Sequence, residues 1–534
     1  MPKSKESYPK TYGISIVILI IIISYVLTNF YHQKWNSTKD YKGVIEWDVI
    51  SYYSYLPAAI IYKDLSLSFT GQEGFEYKTK FWFVRADNGN KVILTTMGLS
   101  YLYAPFFFIA HLLAPFFGEA RDGFGVIYEF FMVLSSLFYL WIAFVILAGI
   151  LKRYFTNIAT NIVLLLIGLG TNLYYYGTYE AAMSHAYSFS LIVLFLWLTI
   201  KWYEKPGFYS TIWLGLTYGL IVLIRPTNVL LLLILVLYGV RNLKEAGKRI
   251  RFLFSNRNWI LLMIAAFLIP WIPQFIYWYT QTGQLFYNAY SKVGSAFYFD
   301  SPQITEVLFS FRKGWFIYVP VMSFAVLGFI SLFRRKPELA PAIFLYIFIM
   351  TYVFSSWWSW WTGGSFGPRL FIDTYGLMAI PLAALVTDIS KGKNIPMGLA
   401  MLSAGFLIYV NIFQSSQYFN GYLHYLGMTK ESYKMQFLKQ DFAKGYWKNL
   451  SIPDFELARQ GIYYFYSTGE DFKSYQQLPA ADAYAKTLEE IQSDAGLIKD
   501  IARMAKREEI SKEEALKKVA DRVHNTKTKG GPSY

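Results

Sequence analysis

ISIVILIIIISYVLTNF, residues 14–30, carries no charged side chain and reads as a helix long enough to cross a bilayer. It is too long for a signal peptide's apolar core and lacks a small-residue cleavage site, so the sequence predicts a retained anchor. Runs of the same kind recur almost to Gln414. Of the 534 residues, 55% are hydrophobic, 20% aromatic and only 16% charged, against about 25% charged in a soluble protein. The chain therefore reads as an all-α polytopic membrane protein. It has no cysteine, which excludes a disulfide framework and thiolate metal ligation. In such a chain the net charge of +15 fits cytoplasmic loops and acidic lipid headgroups better than nucleic acid.

Eleven spans are expected, at roughly 13–30, 126–150, 158–177, 184–202, 208–224, 226–240, 258–279, 314–333, 339–356, 370–387 and 395–414. A further apolar run, 97–117, contains two prolines and His111, which suit a broken or surface-lying helix. The positive-inside rule arbitrates. With Lys3, Lys5 and Lys10 cytoplasmic and 97–117 not crossing, the inner loops hold Lys152, Arg153, Lys201, Lys205, the block RNLKEAGKRIRFLFSNR (241–257), Arg334, Arg335, Lys336, Lys391 and Lys393. The short outer loops hold only Arg225 and Arg369. Letting 97–117 cross would invert every later loop and the bias with it.

This orientation divides the chain into a transmembrane module, 1–414, and an extracytoplasmic tail, 415–534. The outer segments are a first loop with juxtamembrane helices, 31–125, then 280–313, then the tail. From Pro479 the tail reads as charged helix, with a capping box at Ser511 and Glu514; its last residues, NTKTKGGPSY, read as disordered. There is no internal repeat, which counts against a secondary transporter.

The unusual polar residues gather on the outer side. VIEWDVISYYSYLPAAII (44–61) sets Glu46 and Asp48 just past the first span. Lys91 precedes the run 97–117 and Arg121 follows it. TYEAAMSHAYSF (178–189) places Glu180 and His185 at outer span ends, and LIRPTNVL (223–230) puts Arg225 at a tight outer hairpin. SSWWSWWTGGSFGPRLFID (355–373) puts Arg369 at a span mouth behind four tryptophans, Trp360 and Trp361 among them. Each has a structural explanation: interfacial acids, a packed histidine, snorkelling arginines, an aromatic belt. Their coincidence suits one chemistry. A lipid phosphate at headgroup depth needs arginine or lysine, a carboxylate can take a proton from an attacking hydroxyl, and tryptophan faces suit sugars and isoprenoid chains.

EWDVISYYSYLPA, NKVILTTMGLSYLYAPFF, YEAAMSHAYSFS and WWTGGSFGPRL together resemble the GT-C superfamily of membrane glycosyltransferases, in its branch of protein O-mannosyltransferases and lipid A aminoarabinose transferases. The resemblance covers roughly residues 10–415. It implies a GT-C-like bundle and inverting transfer from a polyprenyl-phosphate-linked sugar to an acceptor hydroxyl on the periplasmic face of a bacterial inner membrane. It implies Asp48 as catalytic base, with Lys91, Arg121 and Arg369 toward the lipid phosphate. Charge alone adds Arg225, and position adds Glu46, Glu180, His185, Trp360 and Trp361. No glycine-rich phosphate loop supports a nucleotide-sugar donor. A divalent metal on Asp48 with Glu46 or His185 is conceivable, but the resemblance does not call for one. The competing readings are a lipid-linked glycan flippase and a membrane scaffold.

Overall fold

The longest helix, Val126–Tyr154, has 29 residues and rises about 43 Å at 1.5 Å per residue, more than a bilayer core. It has Glu129 in its first turn and Lys152 and Arg153 in its last, each the charge that its helix end favours. The computed structural model containing it describes residues 12–37, 43–391, 394–470 and 472–532. Lys3, Lys5, Lys10 and Lys393, used above for orientation, lie outside them.

Among the described residues, seven helical segments are long and apolar enough to span a membrane: Gly13–Asn36, Gly98–Phe117, Val126–Tyr154, Ser184–Glu204, Arg257–Thr282, Arg369–Ser390 and Met397–Phe419. Four shorter apolar helices accompany them, Asn157–Leu169, Phe208–Ile224, Pro226–Leu237 and Ala340–Ser355. Along the first helix Ile16, Leu19, Ile20, Ile23 and Leu27 all stay exposed, a stripe that water would penalise and lipid would not. The chain is a multi-pass membrane protein. The expected spans 158–177, 226–240 and 314–333 are interrupted. Asn157–Leu169 stops at Gly170, a 3-10 turn at Pro226–Leu231 leaves six α-helical residues after it, and Pro320 divides Trp315–Tyr318 from Val321–Arg335. The run 97–117 is continuous helix over Gly98–Leu113 with Pro105 inside it.

The chain separates into two compact units, Met1–Val293 with Val319–Met350 and Leu370–Ile412, and Gly294–Tyr318 with Thr351–Arg369 and Phe413–Tyr534. In the first, glycines let helices touch. A Cβ on Gly215 or Gly219 would fall inside the Met263 and Phe267 carbonyls of the neighbouring helix, a small-xxx-small seam of the kind that packs membrane helices. Gly328 meets the Pro381 carbonyl in the same way. An antiparallel ribbon, Phe83–Arg85 with Lys91–Ile93, pairs Phe83 with Ile93 and Arg85 with Lys91.

In the second unit, strands Ser451–Pro453 and Phe465–Ser467 pair, and helices Ala480–Ser493, Ala495–Glu508 and Lys512–Thr528 close over a core including Leu457, Ile462, Tyr466, Ile491, Met504, Val519 and Val523. The Asp494 side chain accepts from the Gly496 and Leu497 amides, and Ser511 from that of Glu514, satisfying the opening donors of two helices. The expectation of disorder from Asn525 is corrected as far as Thr528, and the last two residues, Ser533 and Tyr534, lie outside the described residues. The last helix runs to Thr528 because buried Lys527 donates to Glu470 (2.7 Å) and Glu490 (2.6 Å), partners that the composition of the last ten residues does not reveal.

Candidate active site

The acid pair Glu46 and Asp48 splits into two environments. Glu46 is 4% exposed and accepts from Lys80 Nζ. That ammonium also donates to the Ile45 carbonyl (2.9 Å) and lies 4.0 Å from Glu129 Oε1. Glu129 in turn accepts from the backbone amides of Val44 and Ile45. Two carboxylates and one ammonium thus pin the turn 43–46 from inside. Gly43 makes room for them, since a Cβ there would meet both Glu129 oxygens at 2.8 Å.

Asp48 has a different setting. Trp47 takes φ +50° and stands exposed, and Asp48, part-exposed, begins the helix Asp48–Tyr53. That short helix is held by side chains reaching far along the chain. Tyr53 Oη donates to the Gly123 carbonyl (2.5 Å), Ser100 Oγ to the Tyr52 carbonyl (2.5 Å), and Tyr55 Oη just beyond it to the Thr95 carbonyl (2.7 Å). The carboxylate is therefore carried on a fixed support with solvent access, as a proton acceptor requires. Trp47, its ring 6.4 Å from that of Trp82, is an aromatic that the sequence reading passed over. Its position between two acids was the available signal.

Most of the other expected site residues have internal partners. Lys91 Nζ donates to the Leu67 carbonyl (2.9 Å) and Thr70 Oγ1 (2.7 Å) and lies over the Phe83 ring; burial and nearby Arg85 push its ammonium below the ordinary lysine range. Glu180 pairs with Lys34 at 2.9 Å. Arg225 and His185 converge on Asp373, which the sequence reading did not single out. Arg225 Nη1 is 3.3 Å from both its oxygens, Asn228 donates to it at 2.9 Å, and His185 Nδ1 is 3.8 Å away. Asp373 is buried in a membrane-spanning segment, where an acid demands a partner; that demand was the missed signal. Arg121 is exposed, one residue before Asp122, which accepts from Tyr77 Oη at 2.7 Å.

The second unit holds Arg369, part-exposed, and the tryptophan loop. Trp360 and Trp361 are buried, and Trp361 packs on Phe455 (5.8 Å) and Phe465 (6.0 Å), so they build the unit's core. Two cations that the sequence reading overlooked lie beside this loop. Lys313, fully buried, donates to the Ser365 carbonyl and faces the Tyr418 ring. Burial, reinforced by Arg312 and Arg369, holds its ammonium well below the ordinary lysine range. Arg312 donates to the Leu426 and Ser451 carbonyls and is pushed down to about 10 by burial. His424 Nδ1 accepts from the Leu426 and Gly427 amides, and burial, then Lys313 and Arg312, lower it to about 4.

Among the described residues no three His, Cys, Asp or Glu side chains gather as metal ligands. The two pairings considered above are engaged elsewhere, Glu46 by Lys80 and His185 by Asp373.

No protein-family model and no curated protein matches the chain. Solved structures similar to it include archaeal oligosaccharyltransferase AglB from Archaeoglobus fulgidus in complex with an inhibitory peptide and a dolichol-phosphate, at 13% identity and TM-score 0.47. The Archaeoglobus fulgidus oligosaccharyltransferase in its apo form is similar at 14% and 0.46. Each alignment covers 80% of this chain and 58% of the other. That degree of likeness transfers no residue role.

Proposed function

We propose that the protein is an inverting glycosyltransferase using a polyprenyl-phosphate-linked sugar, with Asp48 as general base. The acceptor hydroxyl oxygen attacks the anomeric carbon. The bond from that carbon to the phosphate oxygen breaks, its electron pair leaves with the phosphate, and the hydroxyl proton passes to Asp48. Exposed Trp47 offers a face to the sugar or the isoprenoid chain. Of the cations named from the sequence, Lys91 and Arg225 are committed to a loop and to Asp373, and Arg121, exposed in the same unit as Asp48, is the proposed phosphate ligand. The site is proposed to face the periplasm, with the tail 415–534 selecting the acceptor.

The supporting observation is the asymmetry of the acid pair. Glu46 is neutralised and enclosed by Lys80, while Asp48, two residues on, is part-exposed on an anchored helix. The test is transfer of radiolabelled sugar from the polyprenyl phosphate by purified protein. Asp48→Asn is expected to lower the rate by about 10²–10⁴-fold, the span of general-base catalysis, while any folded Glu46→Gln protein keeps turning over. Undiminished transfer by Asp48→Asn removes the assignment, and lipid translocation without transfer replaces the enzyme by a flippase.

A further inference from the structure

The basic block at 241–257 folds as a helix, Leu243–Ser255, whose start is capped by the Asn242 side chain accepting from the Glu245 amide. One face is docked on protein. Arg249 lies 3.8 Å over the Tyr203 ring and donates to the Tyr238 carbonyl, and Phe252 meets the rings of Trp202 and Tyr203. Away from it runs an apolar ridge at helical spacing: Leu243 is 92% exposed, Ile250 54% and Phe254 73%. Alongside, Lys244, Lys248 and Arg251 are exposed, on the flank that helical spacing puts between the ridge and the docked face. At Asn256 the helix gives way directly to the membrane-spanning segment Arg257–Thr282.

We propose that this helix lies in the membrane interface and binds acidic phospholipid, with Leu243, Ile250 and Phe254 at the acyl boundary and Lys244, Lys248 and Arg251 on the headgroups. A water-facing helix has no use for three large apolar side chains in one row, and a span beginning one residue after the helix holds its end at headgroup depth. The ridge and the cations are adjacent, as an interfacial helix needs, one to reach hydrocarbon and the other to remain among phosphates. Near an acidic surface each such cation contributes about a fivefold preference, from roughly 1 kcal/mol per residue. Arg249, turned onto Tyr203, takes no part.

The chain's lack of cysteine gives the test a clean background. Single variants Ile250→Cys, Phe254→Cys, Lys248→Cys and Arg251→Cys are spin-labelled in the full-length protein. They are reconstituted in phosphatidylcholine vesicles with or without phosphatidylglycerol. Labels at 250 and 254 are expected to be open to oxygen and shielded from a water-soluble nickel chelate, and labels at 248 and 251 the reverse. Shielding of the ridge should deepen with phosphatidylglycerol and lose that dependence in the Lys244→Gln, Lys248→Gln, Arg251→Gln background. Equal nickel access at all four positions overturns the proposal by placing the helix in water. A ridge closed to both reagents overturns it by revealing a protein partner, and indifference to phosphatidylglycerol overturns the lipid selectivity.

Discussion

Replacing Lys80 by methionine isolates the ion cluster beneath the turn 43–46. Lys80 is 12% exposed, Glu46 4% and Glu129 1%, so the substitution strands two carboxylates in a region closed to water. Breaking a buried pair this way costs about 3–5 kcal/mol. The Val44 and Ile45 amides still donate to Glu129, which favours the lower part of that range. Glu46→Gln is milder, because it keeps an acceptor for Lys80 and removes one of the two like charges. Exchanging a charge-assisted hydrogen bond for a neutral one costs about 1 kcal/mol. At roughly 2 °C per kcal/mol for a large chain, Lys80→Met should lower the unfolding midpoint by about 6–10 °C and Glu46→Gln by about 2 °C. Differential scanning fluorimetry of detergent-solubilised protein reads both. Combining the two substitutions should recover part of the Lys80→Met loss, since only one buried charge remains. A Lys80→Met protein as stable as the parent, or a double variant less stable than Lys80→Met alone, refutes the clamp.

At the helix seam Gly219→Ala forces a Cβ into the Phe267 carbonyl and should cost about 1–3 kcal/mol. On the long helix, Gly149→Ala meets nothing within 4 Å and should stabilise by roughly 0.5 kcal/mol. The same scan reads both, and equal signs would contradict the packing described. In the tail, Lys527→Met should loosen Lys512–Thr528, costing about 1–2 kcal/mol because Glu490 is exposed and Glu470 part-exposed; hydrogen exchange over that helix should rise while Ala480–Ser493 keeps its protection. His424 supplies a pH dependence. Its folded value of about 4 lies below the ordinary 6.5, so its contribution is complete above 6.5 and is lost as pH falls toward 4. The loss is about 1–2 kcal/mol after allowance for partial exposure. His424→Asn, which retains an acceptor for the Leu426 and Gly427 amides, should flatten that part of the stability profile; an unchanged slope assigns it to another group.

The membrane class and most helix positions were legible because apolar runs of span length leave few alternatives. Breaks within the runs were not. Gly170 and Pro320 interrupt helices that hydropathy reads as continuous, because window averages register composition and not the loss of a backbone donor at a proline or a close approach such as that of Gly170 to the Leu166 carbonyl, which a Cβ would meet at 2.8 Å. The amphipathic helix at 243–255 was hidden differently. Its lysines and arginines served to orient the loops, and a count of charges carries no information about the face each one occupies. The tryptophans misled for a related reason. Four within five residues look like a platform for a ligand, yet Trp361 faces Phe455 and Phe465, nearly a hundred residues later in sequence. Burial by a distant segment has no local signature.

The same limit governs the site. Glu46 and Asp48 are separated by one tryptophan, and no local property of EWD distinguishes their roles. The distinction comes from Lys80 and Glu129, 34 and 83 residues beyond Glu46. They supply the countercharge and the walls that make Glu46 structural, while the φ of +50° at Trp47 starts Asp48 on a new helix. Arg225 and His185 follow the same logic in reverse. Both looked available until Asp373, 148 residues past Arg225, gathered them. Buried ionisable groups are settled by their partners, so a polar residue near a membrane boundary is a credible reactant only after the long-range pairs are known. Glu46, Lys91, Glu180, His185 and Arg225 are bound to Lys80, to the loop carbonyl of Leu67, to Lys34 and to Asp373; Asp48 differs in exposure, part-exposed on a support fixed at Gly123, Ser100 and Thr95.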